Sequence, residues 1–400
     1  MQLDRDGRLH LTYCTNIHAA DGWAAVEANV RRYAPALRQR FAPDSPFGLG
    51  LRLSARDAAE LRAGHLDGFA DYLENQGLYV AIINGFPFGS FHRSVVKEHV
   101  YAPDWRDEAR VAYTRDLIAI LARLLPDGLD GGVSTVPLSY KAWLADDEEG
   151  WQQVTRNVAR IAGDLARIKR ETGALLHLDI EPEPDCVLET SAETIAFFTD
   201  RLLPLGAPIV AAELGVSMAE AEAAILDHIR VCFDCCHFSV EHEDPIAAID
   251  AILGAGIGIG RIQLSSALHV EVPADAEARQ SVMTRLGAFA DPVYLHQVVV
   301  QHAGTLRHYP DLGPALDEAD AGPSIWRIHF HVPLFAASYE GLSSTQDDVR
   351  RVIEAASARA ITTHLEIETY TWDVLPGSLK IDLGDSIARE FAWVLGVLGR

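Results

Sequence analysis

An α/β chain closing into a parallel (β/α)8 barrel is the fold this sequence predicts, on three observations. Short apolar runs alternate with longer stretches of helical period along the chain, the mark of repeated β/α units. At 400 residues, 48% apolar and 23% charged, the chain has the size for one large domain, since such barrels commonly exceed about 250 residues as a single unit. Four apolar runs, 175–183, 231–237, 325–335 and 361–372, carry metal-ligating residue types at or near their ends. The carboxyl ends of barrel strands face one mouth, so Glu, Asp, His and Glu from late strands would meet at one point.

In chain order the expected strands are 9–13, 48–53, 78–83, 132–137, 175–180, 230–235, 261–265, 326–332 and 363–369. That is one more than the barrel needs. Between them, helix 108–125 carries Val111, Leu117, Ile120, Leu121 and Leu124 on one side and stops at Pro126. Helix 151–171 repeats Trp151, Val154, Val158, Ile161, Leu165 and Ile168 at three- and four-residue steps, with Gly173 as its cap. A single apolar stripe puts both helices outside the barrel. Alternation in 293–301, the turn Ala303-Gly304 and the run 305–309 read as a β-hairpin. Residues 267–324 are therefore expected as an insertion over the site mouth, within a single domain spanning 1–400. Periodicity does not decide whether 261–265 or 326–332 fills the seventh barrel position.

Composition excludes several function classes. With 57 acidic against 34 basic side chains the formal net charge is −23, which repels phosphate backbones and anionic bilayers, so nucleic acid and membrane surfaces are poor partners. The five cysteines, Cys14, Cys186, Cys232, Cys235 and Cys236, are odd in number with three in one strand. They indicate a reducing compartment and no disulfide framework. Cys232 and Cys235 form a C-x-x-C without a second pair, which argues against structural zinc. The opening residues 1–7 are polar and no apolar run of about 18 residues occurs anywhere in the chain, so direct membrane insertion is not expected and the cytoplasm is the expected location.

A carboxylate buried without a partner costs on the order of several kcal/mol. Acids on apolar strands therefore demand a cation, an arginine or water. Alternation puts His177, Asp179 and Glu181 on one face of their strand, and His364, Glu366 and Glu368 on one face of theirs. Arginine pairing explains any one of these acids, but few basic residues lie in the same runs to explain them all. Asp234-Cys-Cys-His237 is a D-x-x-H crossing a strand end, able to give the Asp to a metal and the His to the substrate or the same ion. His329 and His331 share a face, where one ring nitrogen can ligate while an acceptor fixes the other. Gln263 competes for the seventh-strand place with an amide oxygen, a weaker ligand for transition metals. The run 84–105 mixes glycines, aromatics, His92, Arg93 and Lys97 in a length typical of lids and binding loops. Glycines 254, 256, 258 and 260 imitate a phosphate loop, but they precede a strand and read as a connection.

The β/α rhythm with Glu, D-x-x-H, His and Glu late in the chain resembles the xylose isomerase-like barrel superfamily of sugar isomerases, epimerases and endonuclease-type enzymes. More narrowly, TYCTNIH (12–18), NGFPFGSFH (84–92), VKEHVYAPDW (96–105), LLHLDIEPEPD (175–185), FDCCH (233–237), IQLSSAL (262–268), HFHVPLF (329–335) and LEIETYTW (365–372) together resemble the EboE family of Ebo-operon metabolite-traffic proteins. The superfamily resemblance implies a divalent metal (Mn, Mg, Zn or Co) and proton transfer on a polyol. It maps the metal-binding acid/base pair onto Glu181 and onto Glu368 or Glu366, the metal aspartate onto Asp234, and a substrate-binding histidine onto His237. The seventh-strand histidine is where this sequence departs, offering Gln263 in one candidate strand and His331 or His329 in the other. The Ebo resemblance implies an operon serving export or maturation of a secondary metabolite, and a functional link to its other products.

The expected function is isomerisation or epimerisation of a small-molecule polyol, a sugar or cyclitol, phosphorylated or not. Glu181 and Glu368 would exchange the proton, His237 and His329 would meet hydroxyls, and His92, Arg93 or Lys97 would meet a phosphate. A metal-dependent phosphoesterase needs further ligands, for which the early strands offer only His10 and His18. A non-catalytic binding or trafficking protein would keep the pocket and lose part of the metal set, as Gln263 suggests. The oligomeric state, a homodimer included, is not legible.

Overall fold

The computed structural model describes residues 1–3, 9–89, 97–144, 146–290, 295–319, 322–339, 341–370 and 382–400. Its strands, in chain order, are β1 (His10–Tyr13), β2 (Phe47–Arg52), β3 (Leu78–Asn84), β4 (Gly131–Thr135), β5 (Leu176–Ile180), β6 (Ile229–Asp234), β7 (Ile259–Leu264), β8 (Ser266–Val272), β9 (Val298–His302), β10 (Thr305–Tyr309), β11 (Ser324–Val332), β12 (Ser338–Tyr339), β13 (Leu342–Ser344) and β14 (His364–Ile367). Eight of them pair in parallel in the order β1-β14-β7-β6-β5-β4-β3-β2, and a parallel bridge from Cys14 to Gly50 draws the two edges together. The result is a (β/α)8, or TIM, barrel, with the amphipathic helices Glu108–Leu124 and Glu148–Thr172 turning their apolar stripes toward it. The helical run Ser191–Leu214 is long and apolar enough by length and composition to cross a bilayer, unlike anything expected from the sequence. Here it packs along Glu148–Thr172.

The remaining six strands form an antiparallel sheet in the order β10-β9-β11-β8-β13-β12. The hairpin β9–β10 turns on Ala303 and Gly304, with φ of 50° and 81°, the two positive values that a two-residue turn of type I′ requires. This sheet reaches from Ser266 to Ser344, beyond the expected limit at 324, because the ambiguous run 326–332 lies in β11 and pairs antiparallel with β8 and β9. The seventh barrel strand is therefore β7. The inserted sheet has its own apolar cluster, with Leu268, Val298, Trp326, Ile328 and Phe330 among its members, separate from the barrel core.

Within the barrel, a polar ladder climbs toward the carboxyl end. Asp130 meets His177 at 3.6 Å, His177 Nδ1 meets Asp179 at 2.5 Å, and Arg261 joins Asp179 (3.1 Å) to Glu366 (3.4 Å). Missing Cβ atoms make room for it. A Cβ on Gly260 would stand 1.9 Å from Asp179 Oδ1, and one on Gly50 would stand 1.7 Å from Glu366 Oε1. The glycine run at 254–260 thus enters β7 itself, and its last member serves packing inside the barrel.

Candidate active site

Glu181 and Glu183 follow β5, Asp234 ends β6 and Glu368 follows β14, so three strand ends deliver four acids to the carboxyl face. Asp234 Oδ1 accepts hydrogen bonds from His237 N at 3.0 Å and Ser265 Oγ at 2.6 Å. It thereby caps the short helix Cys235–Val240 and holds His237 over the mouth. Glu368 Oε1 accepts from Asn16 Nδ2 at 2.7 Å and, more weakly, from Asn84 Nδ2 at 3.5 Å. Glu181, Glu183, His237, His329, His331, Glu368 and Lys97 line one cavity with Asn16, Asn84, Tyr101 and Tyr370.

His329 and His331 enter that cavity from the inserted sheet. Between Ile328 and Val332 the β11–β8 register shifts, and such a bulge bends a strand and re-aims its side chains. Phe330 points the other way, stacked on His296 at 3.8 Å. Each imidazole is oriented from behind: His237 Nδ1–H donates to Pro182 O (2.8 Å), His329 Nδ1–H to Gln297 Oε1 (2.7 Å) and His331 Nδ1–H to Glu368 O (2.9 Å).

The electrostatics are those of an acid cluster short of cations. Burial, then Asp234 and Glu183, push Glu181 well above the usual carboxyl range. Burial, then Glu181 and Asp234, do the same to Glu368. Burial also raises Asp234, but His237, His331 and the two hydrogen bonds on Oδ1 outweigh it and hold this carboxyl low. Burial raises Glu183 against the pull of His237, Tyr101 and Gln297. Glu181, Glu183, Asp234 and Glu368 each keep one buried oxygen that no donor among the described residues reaches.

Other expected residues stand elsewhere. Gln263 does not border the cavity: it sits in β7, in register with Asp234 and Glu366, and its Oε1 accepts from Cys232 Sγ at 3.1 Å. Glu366 is the partner of Arg261 inside the barrel, so of the last strand's two glutamates it is Glu368 that borders the cavity. Lys97 borders it too, with its ammonium paired to Asp311 at 2.5 Å. His92 and Arg93 lie outside the described residues, as does part of the run 84–105. His10 bonds Tyr79 at 2.6 Å from the amino end of β1, and His18 meets Tyr13 at 3.1 Å and stacks on Tyr33. Neither belongs to the acid group. Sequence reasoning passed over Asn16, Asn84 and Gln297. Asn84 had a signal, as a polar residue ending an apolar barrel strand. Gln297 had none.

Fold and site together describe a TIM barrel with a buried acid–imidazole pocket at its carboxyl face. No family model matches the chain, and no curated protein does. Among solved structures it is similar to the IolI protein with a bound zinc atom (12% identity, 97% of this chain and 98% of that one, TM-score 0.47). It is also similar to a xylose isomerase-like TIM-barrel protein from Mycobacterium smegmatis in complex with magnesium (13%, 98% and 96%, 0.49). A third is the probable 3-DHS dehydratase AsbF from Bacillus anthracis (12%, 98% and 99%, 0.44).

Proposed function

We propose that this chain is a cytoplasmic, divalent-metal-dependent isomerase or epimerase acting on a sugar or cyclitol. The observation that supports this most is the buried trio Glu181, Asp234 and Glu368, each with an oxygen that no described donor reaches. Carboxylates this close and this dry require protons or a cation. An oxygen-rich set beside imidazoles suits Mg²⁺ or Mn²⁺ and admits Zn²⁺ or Co²⁺, so the residues fit the metal. When bound, such an ion would polarise a substrate carbonyl and its neighbouring hydroxyl, making the C–H between them more acidic. Glu181 and Glu368 on the two sides of that carbon would take and return the proton. Asn16 and Asn84 would keep the Glu368 carboxyl aimed. His237 and His329 would face substrate hydroxyls, and Lys97 with His92 and Arg93 would meet a phosphate on a phosphorylated substrate.

The motif resemblance to the Ebo-operon family supports a role in secondary metabolism beside other products of that operon. A binding or trafficking protein is the second reading, favoured by Gln263, whose amide is engaged by Cys232. Deuterium entering one carbon of a candidate sugar or cyclitol from heavy water, with Mn²⁺ present, is the expected result for the enzyme. No incorporation across a broad panel would favour the binder.

Asp234→Ala should abolish stoichiometric binding of the ion held by the carboxylates while leaving the chain folded, at a cost of about 1 kcal/mol for the lost helix cap. Elemental analysis after purification, with circular dichroism alongside, checks this; undiminished metal would remove Asp234 from the site. A ligand that binds should also slow amide exchange in residues 85–89 and 97–105 more than in neighbouring β3, since closure raises the opening free energy of a lid. Equal protection with and without the ligand would leave this run a plain wall of the pocket.

A further inference from the structure

We infer that the pocket holds a second divalent ion, on the imidazoles of His237, His329 and His331, beside the ion of the carboxylate group. The inference builds on the metal site of the isomerase reading and adds to it a centre of different chemistry.

Three tautomers are fixed by the acceptor behind each ring. A backbone carbonyl stands behind His237 and another behind His331, so each ring keeps its proton on Nδ1 and turns the Nε2 lone pair into the cavity. The Gln297 amide fixes the third. Its Nε2 donates to Pro184 O at 3.2 Å and faces Tyr101 Oη at 3.0 Å, which leaves Oε1 as the acceptor for His329 Nδ1–H. His329 Nε2 and His331 Nε2 then stand 3.2 Å apart, lone pair against lone pair. Two nitrogens each about 2.1 Å from one ion stand roughly 2.9 to 3.4 Å apart for octahedral to tetrahedral angles. The observed gap fits a shared cation.

Further ligand atoms are near. Asp234, His237 and His331 offer ligand atoms within 4.8 Å of one another, and so, counting either ring nitrogen, do Glu183, His237 and His329, where Glu183 Oε1 stands 3.4 Å from His329 Nδ1. Glu183 Oε2 is also one of the oxygens that no described donor reaches. The ring centroids of His237 lie 4.7 Å from His329 and 5.8 Å from His331. An imidazole set prefers Zn²⁺ or Co²⁺ to Mg²⁺, whereas a carboxylate set accepts the hard ion. The pocket would thus hold two ions of unlike character, and His237 and His329 would act on substrate hydroxyls through the second of them.

The test uses the full chain stripped by a chelator. Co²⁺ should bind at two ions per chain and Mg²⁺ at one; His329→Ala should lower Co²⁺ to one and leave Mg²⁺ unchanged. Gln297→Leu, which removes the acceptor behind His329, should weaken one of the two Co²⁺ sites by about 10- to 100-fold and spare the other. Wild-type protein labelled with ¹⁵N answers without any variant: added ¹¹³Cd²⁺ should couple to the Nε2 of all three histidines. A single Co²⁺ per chain in the wild type, or a proton on Nε2 of His329 or His331 that persists with Cd²⁺ present, overturns the inference. One ion with deuterium exchange intact would leave the isomerase reading standing without the second centre, and two ions without exchange would do the reverse.

Discussion

Replacing Glu368 by Gln should lower proton exchange at the reacting carbon by about 10²-fold or more, the range expected for loss of a positioned acid/base group. The amide keeps the size of the side chain and one oxygen ligand but has no basicity. Metal should therefore be weakened less than in Asp234→Ala. Glu181→Gln should match it if the two carboxyls work on opposite sides of one carbon. Glu366→Gln should leave exchange per folded molecule nearly unchanged, since Glu366 faces Arg261 and not the cavity. Mass spectrometry of candidate sugars and cyclitols after incubation in heavy water with Mn²⁺ reads all three variants. Exchange that survives in both Glu181→Gln and Glu368→Gln would refute the two-glutamate mechanism.

Arg261→Met should destabilise the barrel by about 3 to 5 kcal/mol, because it strips the cation from two fully buried carboxylates at once. Methionine fills much of the volume, so the loss is electrostatic more than a matter of packing. Its pH dependence has a definite sign. Burial already holds Glu366 above the usual carboxyl range against the pull of Arg261, and removing the arginine raises it further. A native-state carboxyl with a raised pKa binds more protons than its unfolded counterpart between the two pKa values, so the variant's stability should fall as pH rises through that window. Urea unfolding at several pH values measures both effects. A loss below about 1 kcal/mol would mean that water or a neighbour already compensates these acids.

Much of the barrel was legible because each strand is an apolar run closed by turn residues, and of the nine runs read that way only β11 lies outside it. That exception is physical. Trp326, Ile328 and Phe330 satisfy a two-residue period as well as any barrel strand does, yet they fill the core of a second sheet. The gathering of Glu181, Asp234 and Glu368 was legible from position alone, since strand ends of a parallel barrel share a face. Arginine pairing was the simpler explanation of any one acid, and for Asp179 and Glu366 it holds through Arg261, which reaches them from β7. Such cross-barrel partners leave no trace in local spacing. Asn16 and Gln297 were hidden for the same reason, each acting on a side chain far away in sequence.

The irregular pairing of β11 with β8 has a consequence for heredity. A point mutation in this region alters one side chain, but loss of His329 would move Phe330 into its place toward the acids and turn His331 away from them. The inserted sheet would keep its hydrogen bonds and the barrel its carboxylates, while the meeting of the two would change in kind. Loss or gain of a residue in 329–331 is thus a genetic event to which this pocket is exposed. A lineage could lose or exchange its imidazoles there in one step, with the scaffold left standing.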